Sequence, residues 1–170
     1  MTIPNTVYLT RATLTRHTLC TRPELDLNIC VHKGGQSFTW QVLDASSWCN
    51  VIDGVLVVLC HGDDDDLVYF ECEEGDKEKV RSILWDYFRL DVNLKQLLAE
   101  WEEKDDVFKR MRKPSGVRVL RIDPWECLLS FICSQNNAIH RILNMVMALK
   151  RLSARSCTAA TASTPLAAMP

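Results

Sequence analysis

The 170-residue sequence predicts an α+β fold, in which an antiparallel sheet precedes a group of helices. Two periodicities indicate this order. Apolar residues alternate with polar ones between residues 25 and 73, and from residue 76 onward they recur at helical spacing. The composition, with 47% hydrophobic and 25% charged residues, six Gly and six Pro, is typical of globular domains and excludes disordered, collagen-like and coiled-coil classes.

The predicted sheet is a meander of five strands. The first is Leu25 to Val31, where Leu25, Leu27, Ile29 and Val31 share one side, as in a half-buried strand. Asp53 and Gly54 form a short hairpin signal. Four consecutive aspartates, 63–66, lack the alternating ligands and central Gly of a calcium loop, so we expect a solvated hairpin tip. The other predicted strands are residues 37–42, 48–52, 55–61 and 67–73.

Helices follow the sheet. Asp76 and Asp91 each predict a helix start, and a shorter helix is expected over residues 105–112. Asp123 as N-cap, Pro124 at the first position and Glu126 at the third predict a fourth helix, apolar nearly all round and therefore expected to be buried on most sides. That helix ends at Asn136 and Asn137, and another spans about residues 139–152.

Four segments are expected along the chain. Residues 1–18 hold six Thr, two Arg and no acid, which predicts a flexible leader or, alternatively, an organellar transit signal. Residues 19–115 form the sheet domain, and residues 116–152 begin a helical domain that is incomplete. Residues 153–170, with six Ala, three Ser and three Thr, show no apolar helical stripe and are expected to be an unrelated tail.

Charge and cysteine usage exclude several kinds of site. The net charge of -2 gives no global attraction to nucleic acid, so any basic face must be local. The eight cysteines form no CxxC pair and no zinc spacing, which predicts reduced, buried thiols, an intracellular compartment and no metal or cofactor. The longest strongly apolar run, Val55 to Cys60, is far shorter than the roughly 20 residues that span a bilayer, so no membrane segment is expected.

Three segments resemble the 8-oxoguanine DNA glycosylase family, which excises oxidised guanine: Gly34 to Trp40, Tyr87 to Val92 and, most specifically, Asp123 to Asn137. The resemblance covers about residues 20–152 in the family's order. It implies an N-terminal sheet with flanking helices, similar to half of a TATA-binding fold. The first helices of a truncated helix-hairpin-helix glycosylase domain follow.

The resemblance gives the glycine pair a chemical role. Such an enzyme extrudes its base from the duplex before acting on it. Oxidation at C8 turns the N7 acceptor of guanine into an N–H donor, so one backbone carbonyl can accept from the lesion and reject guanine. By resemblance that carbonyl belongs to Gly35; a glycine there is equally explained as a turn residue.

A second implied site reads the cytosine left unpaired by extrusion, through an amide and a guanidinium. By resemblance these belong to Asn136 and Arg141, whereas their residue types alone suggest a helix C-cap and a solvated helix position. The family carries three successive asparagines and this chain two. Anchoring the register on Ile139 and Arg141 leaves Asn136 in the contacting position, and a slip by one would give Asn137 the role.

The family's reaction also needs a lysine nucleophile and an aspartate near a Leu-Pro-Gly-Val-Gly type turn. The sequence contains no such turn; its nearest fragment, Gly116-Val117, precedes the Asp123 helix. Lys109, Lys113 and Lys150 are expected to be solvated, and no catalytic residue is assigned. We therefore expect a truncated or alternative-frame product with no glycosylase or lyase activity of its own, and with apolar helix faces left uncovered.

The functional expectation is base-excision repair of oxidised guanine by the family to which the segments point. The expected partner is double-stranded DNA with oxidised guanine opposite cytosine, and the expected compartment is the nucleus, or the mitochondrion if the leader is a transit signal. One alternative is a non-catalytic fragment that binds damaged DNA through Asn136 and Arg141. Another is a purely structural or interaction module built on the sheet, with no affinity for DNA.

Overall fold

The computed structural model describes residues 11–33, 35–62, 66–111 and 116–162, and for residues 32, 33 and 154–162 the backbone alone. The chain divides into two compact units, Met1–Asp123 and Pro124–Pro170. The predicted boundary at residue 115 is therefore too early. Leu120 is buried and Ile122 half-buried in the core of the first unit, which ties the segment after Gly116 to the sheet domain.

The first unit contains a five-stranded antiparallel sheet in the order β1-β5-β4-β3-β2, which confirms the predicted α+β class. Asp53 and Gly54, with φ of 50° and 78°, make the predicted tight hairpin between β3 and β4. The predicted bounds of β4 are correct, and those of β3 and β5 differ by one residue. The strands are β1 (Thr15–Thr21), β2 (Gln41–Asp44), β3 (Ser47–Ile52), β4 (Val55–His61) and β5 (Leu67–Cys72).

The predicted first strand is wrong. Residues 28–33 form a π-helical turn. Cys30 and Val31 of this turn and the preceding Leu27 are buried at helical spacing, while Ile29 is exposed. The true edge strand, β1, begins inside the segment expected to be a flexible leader, whose residues 1–10 lie outside the described residues. The predicted strand at 37–42 is displaced toward β2, because only residues from Gln41 onward pair with β3.

The core forms where one face of the sheet meets a helix. Leu59 of β4 and Phe70 of β5 are opposite each other in the ladder and are fully buried. Leu84 and Phe88, from the helix after β5, join the same cluster. Burial of each such side chain contributes about 1.5–3 kcal/mol to the stability of the unit.

Three helices follow the sheet: α1 (Lys77–Tyr87), α2 (Leu94–Lys104) and α3 (Asp106–Arg110). Asp105 caps α3, since its carboxylate accepts from the amides of Val107 and Phe108. Asp91 does not cap α2. Asn93 takes that position and accepts from the amide of Gln96 at 2.9 Å, while Asp91 pairs with Arg89.

The second unit contains α4 (Pro124–Ser134) and α5 (Ile139–Ala162). The predicted start at Pro124 is confirmed, but α5 continues past the expected end at Leu152, because alanine-rich sequence favours helix without needing an apolar stripe. The expected burial of α4 on most sides is also wrong, since Trp125 and Phe131 are 65% and 64% exposed. None of the described helices is long and apolar enough to cross a membrane.

Candidate functional site

Gly35 lies at an exposed bend between the π-helical turn and β2. Its φ of 64° falls in the left-handed region, where a side chain costs about 1–2 kcal/mol. The local backbone therefore favours glycine, in agreement with the turn explanation. Gly35 is also a solvent-exposed backbone position in the described part of this loop.

The residue after this bend holds it to a distant part of the chain. The Gln36 side chain donates from Nε2 to the carbonyl of Arg118 at 2.8 Å, and its Oε1 accepts from the amide of Leu120 at 3.0 Å. The side-chain amide thus bonds the backbone on both sides of Val119, as a neighbouring strand would. This pair of bonds restricts where the Gly35 backbone can move.

Buried polar contacts fix the residues that lead from the bend into the sheet. The Ser37 and Thr39 hydroxyls are 3.3 Å apart, and Asn50 of β3 donates from Nδ2 to Thr39 Oγ1 at 3.0 Å. Trp40 donates from its indole nitrogen to the hydroxyl of Tyr87 on α1 at 3.1 Å. The segment after the bend is thus hydrogen-bonded to both the sheet and the helix.

Arg118 is a buried guanidinium, with a side chain only 4% exposed. It donates to the carbonyl oxygens of Glu24, Arg89 and Val92 and pairs with the Glu24 carboxylate at 2.5 Å. Its five N–H donors suit such a cage of oxygens. Arg118 thereby connects the loop after β1, the turn after α1 and the segment that Gln36 holds.

Sequence reasoning missed Arg118. The alternation in residues 117–122 suggests that Val119 is inside and Arg118 outside, but Val119 is 81% exposed and Arg118 is buried. No local signal identifies the pair of Arg118 and Glu24, because the carbonyls that hold Arg118 come from segments far apart in sequence.

The turn between α4 and α5 carries the other predicted residues. Asn136 is exposed, with a left-handed φ of 53°, and Arg141 is exposed in the first turn of α5. The Asn137 side chain instead donates from Nδ2 to the carbonyls of Cys133 and Gln135, at 2.9 and 3.0 Å. Asn137 therefore caps the end of α4. The side-chain amide of Asn136 makes no hydrogen bond within the described residues.

Two buried titratable groups stabilise the sheet. Burial would raise the pKa of Glu71, but hydrogen bonds from Arg11 and Arg16 outweigh it and hold that pKa below its usual value. Burial, followed by the charge of Arg22, lowers the pKa of His61, whose Nε2 accepts from the amide of Leu27 at 3.2 Å. These groups support the fold rather than an open site.

The described cysteines are free, and most are buried as predicted. Burial raises the pKa of Cys20 to about 12 and that of Cys60 to about 11, so both are inert thiols near neutral pH. Cys127 departs from the prediction because it is exposed on α4. Among residues whose side chains are described, no three His, Cys, Asp or Glu side chains are grouped as metal ligands.

Residues 18–128 match the family model for the N-terminal domain of 8-oxoguanine DNA glycosylase. The N-glycosylase/DNA lyase of Saccharomyces cerevisiae is 36% identical over 131 residues, covering 70% of this chain and 34% of that protein. The N-glycosylase/DNA lyase OGG1 of Arabidopsis thaliana is 36% identical over 115 residues, covering 66% and 31%. The chain thus spans about a third of the length of these curated relatives.

Solved structures show the same architecture. MBOgg1 in complex with a low-affinity DNA ligand matches with a TM-score of 0.59 and 30% identity, over 77% of this chain and 43% of that one. A Clostridium acetobutylicum 8-oxoguanine glycosylase/lyase, bound to double-stranded DNA with cytosine opposite 8-oxoG, matches with a TM-score of 0.56 and 24% identity, over 76% and 44%. The latter likeness bears on the fold alone.

Proposed function

This chain belongs to the 8-oxoguanine DNA glycosylase family, and from that premise we propose that it serves base-excision repair of oxidised guanine. Its substrate is double-stranded DNA that carries the lesion opposite cytosine, in the nucleus and, as a second location, the mitochondrion. The chain contributes the lesion-recognising bend and the cytosine-recognising turn of an N-glycosylase/lyase.

The observation that carries this proposal is the held bend at Gly35. Discrimination between oxidised guanine and guanine requires a carbonyl oxygen that cannot turn away when N7 carries no proton. The Gly35 backbone is exposed, and the two hydrogen bonds of Gln36 restrain it. An accessible peptide group with restrained orientation suits this discrimination.

The turn after α4 supports the second half of the proposal. Asn137 is engaged in capping α4, which leaves Asn136 as the asparagine with an available amide. An amide and a guanidinium can together satisfy the donor and the two acceptors of an unpaired cytosine. The capping role of Asn137 favours the register that places Asn136, rather than Asn137, against the base.

Cleavage of the glycosidic bond in this family requires a lysine nucleophile and a nearby aspartate, and we assign neither role to a residue of this chain. Lys109 is exposed at the surface of α3, and no lysine is matched to the family's nucleophile. We therefore expect the isolated 170-residue chain to bind DNA without cleaving the glycosidic bond. Borohydride reduction on an 8-oxoguanine duplex should trap no covalent adduct; an adduct formed in proportion to protein concentration would contradict this part of the proposal.

Lesion recognition is tested by the binding ratio between duplexes with 8-oxoguanine and with guanine opposite cytosine. The Gly35→Ala variant should lower this ratio, since alanine disfavours the left-handed φ and turns the peptide. Gly54→Ala is the matched control, because Gly54 has a φ of 78° in a hairpin with open space around it. Equal ratios for both variants and the parent would argue against a lesion contact at Gly35.

A further inference from the structure

The two units differ in the sign of their charge. Residues 1–123 contain 16 basic and 21 acidic side chains, a net charge of -5, whereas residues 124–170 contain four basic and one acidic, a net charge of +3. The single acid, Glu126, lies in the first turn of α4. Helix α5 contains no acidic residue at all, so its basic side chains meet no carboxylate on their own helix.

Exposure divides α5 into two faces. Ile142, Val146 and Met147 are buried. The opposite face carries Arg141, Asn144, Ala148 and Arg151, which are all exposed and follow one another at intervals of three and four residues, one turn apart. We call these four residues the α5 stripe. At a rise of 1.5 Å per residue, Arg141 and Arg151 lie about 15 Å apart along the helix axis.

We propose that the α5 stripe follows the phosphate backbone of duplex DNA, with Arg151 as a phosphate contact beyond the cytosine-reading turn. The inference rests on the proposed function, because Arg141 at one end of the stripe is the residue assigned to the unpaired cytosine. Arg151 extends the same face away from that base. It recognises charge rather than sequence.

The chemistry of the stripe favours DNA as its partner. B-DNA carries about one negative charge per 1.7 Å of axis, so a helix face about 15 Å long meets several phosphates. A guanidinium can bond two phosphate oxygens at once. Asn144, between the two arginines, offers a neutral donor to a phosphate oxygen. A protein partner of the same face would have to be acidic, which makes it a distinguishable outcome.

Salt-titrated fluorescence anisotropy on the 170-residue chain tests the proposal, with an undamaged duplex so that lesion recognition plays no part. Each phosphate contact contributes about 0.9 to the slope of log K against log salt. We expect Arg151→Gln to reduce that slope by about one. The matched control is Arg110→Gln, which removes an exposed arginine from α3 in the other unit and should leave the slope unchanged.

A charge-gain variant covers the case in which Arg151→Gln impairs folding. Asn144→Lys adds a cation within the stripe and should make the salt dependence steeper, increasing the magnitude of the slope by about one. If the parent binds DNA while neither stripe variant shifts the slope more than Arg110→Gln does, the inference fails and the proposed function stands. If the parent binds no duplex at low salt, the DNA-binding part of the proposed function itself is contradicted.

Discussion

The guanidinium of Arg118 pairs with the carboxylate of Glu24 at 2.5 Å and donates to the Glu24 carbonyl at 2.6 Å. The same Arg118 residue accepts, through its own carbonyl, a hydrogen bond from Gln36. The restraint on the bend at Gly35 therefore depends on an ion pair between the buried Arg118 and the partly exposed Glu24.

Removing Arg118 should strongly destabilise the first unit. Truncating one partner of a buried ion pair leaves the other charge and several carbonyls unsatisfied, typically at a cost of about 3–5 kcal/mol. We expect Arg118→Ala to lower the free energy of unfolding by about 3 kcal/mol, since Glu24 is partly exposed. Urea unfolding followed by tryptophan fluorescence measures it.

The control for that measurement is Arg121→Ala. Arg121 pairs with Asp86, and both side chains are more than half exposed. Exposed pairs contribute about 0–1 kcal/mol, so this variant should unfold close to the parent. Equal losses for the two variants would contradict the structural role assigned to Arg118.

Gly116 should be the least replaceable of three glycines. Its φ is 70°, and an added Cβ would lie 2.5 Å from the Asp26 amide nitrogen and 2.8 Å from the Arg22 carbonyl oxygen. Gly54 has the same type of φ but open space, and Gly75 has open space without a positive φ. We expect replacement by alanine to lower the free energy of unfolding by about 3 kcal/mol at Gly116, by about 1 kcal/mol at Gly54 and by close to 0 kcal/mol at Gly75.

Thermal unfolding of the three variants measures this order. Gly54→Ala isolates the backbone strain, and the difference between Gly116→Ala and Gly54→Ala isolates the clash with the loop at residues 22–26. A Gly116→Ala variant as stable as Gly54→Ala would show that the loop moves away at no cost, and that the contact is not a constraint.

Acidification should weaken the fold through His61. Its folded-state pKa lies below the ordinary value of 6.5, because burial disfavours the imidazolium, so the unfolded chain takes up a proton first as pH falls. The stabilisation is complete above about pH 6.5 and is lost as pH falls through the folded-state pKa. Protonation also removes the acceptor for the Leu27 amide.

Urea midpoints between pH 5 and 8 measure this dependence. The His61→Gln variant should be less stable at pH 8 and should show a flatter pH profile than the parent. A parent profile unchanged by His61→Gln would exclude His61 as its source.

Much of the fold follows from local patterns, and the exceptions have physical causes. The alternation in β4 predicts the strand correctly, because Val57 and Leu59 face the main core while Val58 packs on the opposite face. The same alternation in Leu25 to Val31 misleads, since the burial of Cys30 in place of Ile29 makes the segment a helical turn. Periodicity over seven residues does not distinguish the two.

The candidate site also combines residues that the sequence predicts with contacts that it does not. Gly35, Asn136 and Arg141 were identified because the family resemblance attached roles to motifs, and the positive φ of Gly35 and Asn136 is consistent with turns. The two hydrogen bonds of the Gln36 side chain and the carbonyl oxygens around Arg118 depend on contacts between segments remote in sequence. Neither contact leaves a pattern in the sequence of any one segment.

Recognition of the unpaired cytosine is the central claim, and an abasic-site analogue tests it without any need to extrude a base. The measurement is the affinity of the 170-residue chain for duplexes with each of the four bases opposite the analogue. We expect cytosine to be preferred by about tenfold, as about 1.4 kcal/mol of discrimination requires, with the preference lost in Asn136→Ala and retained in Asn137→Ala. Equal affinity for all four opposing bases, or a preference that survives Asn136→Ala, would contradict the account.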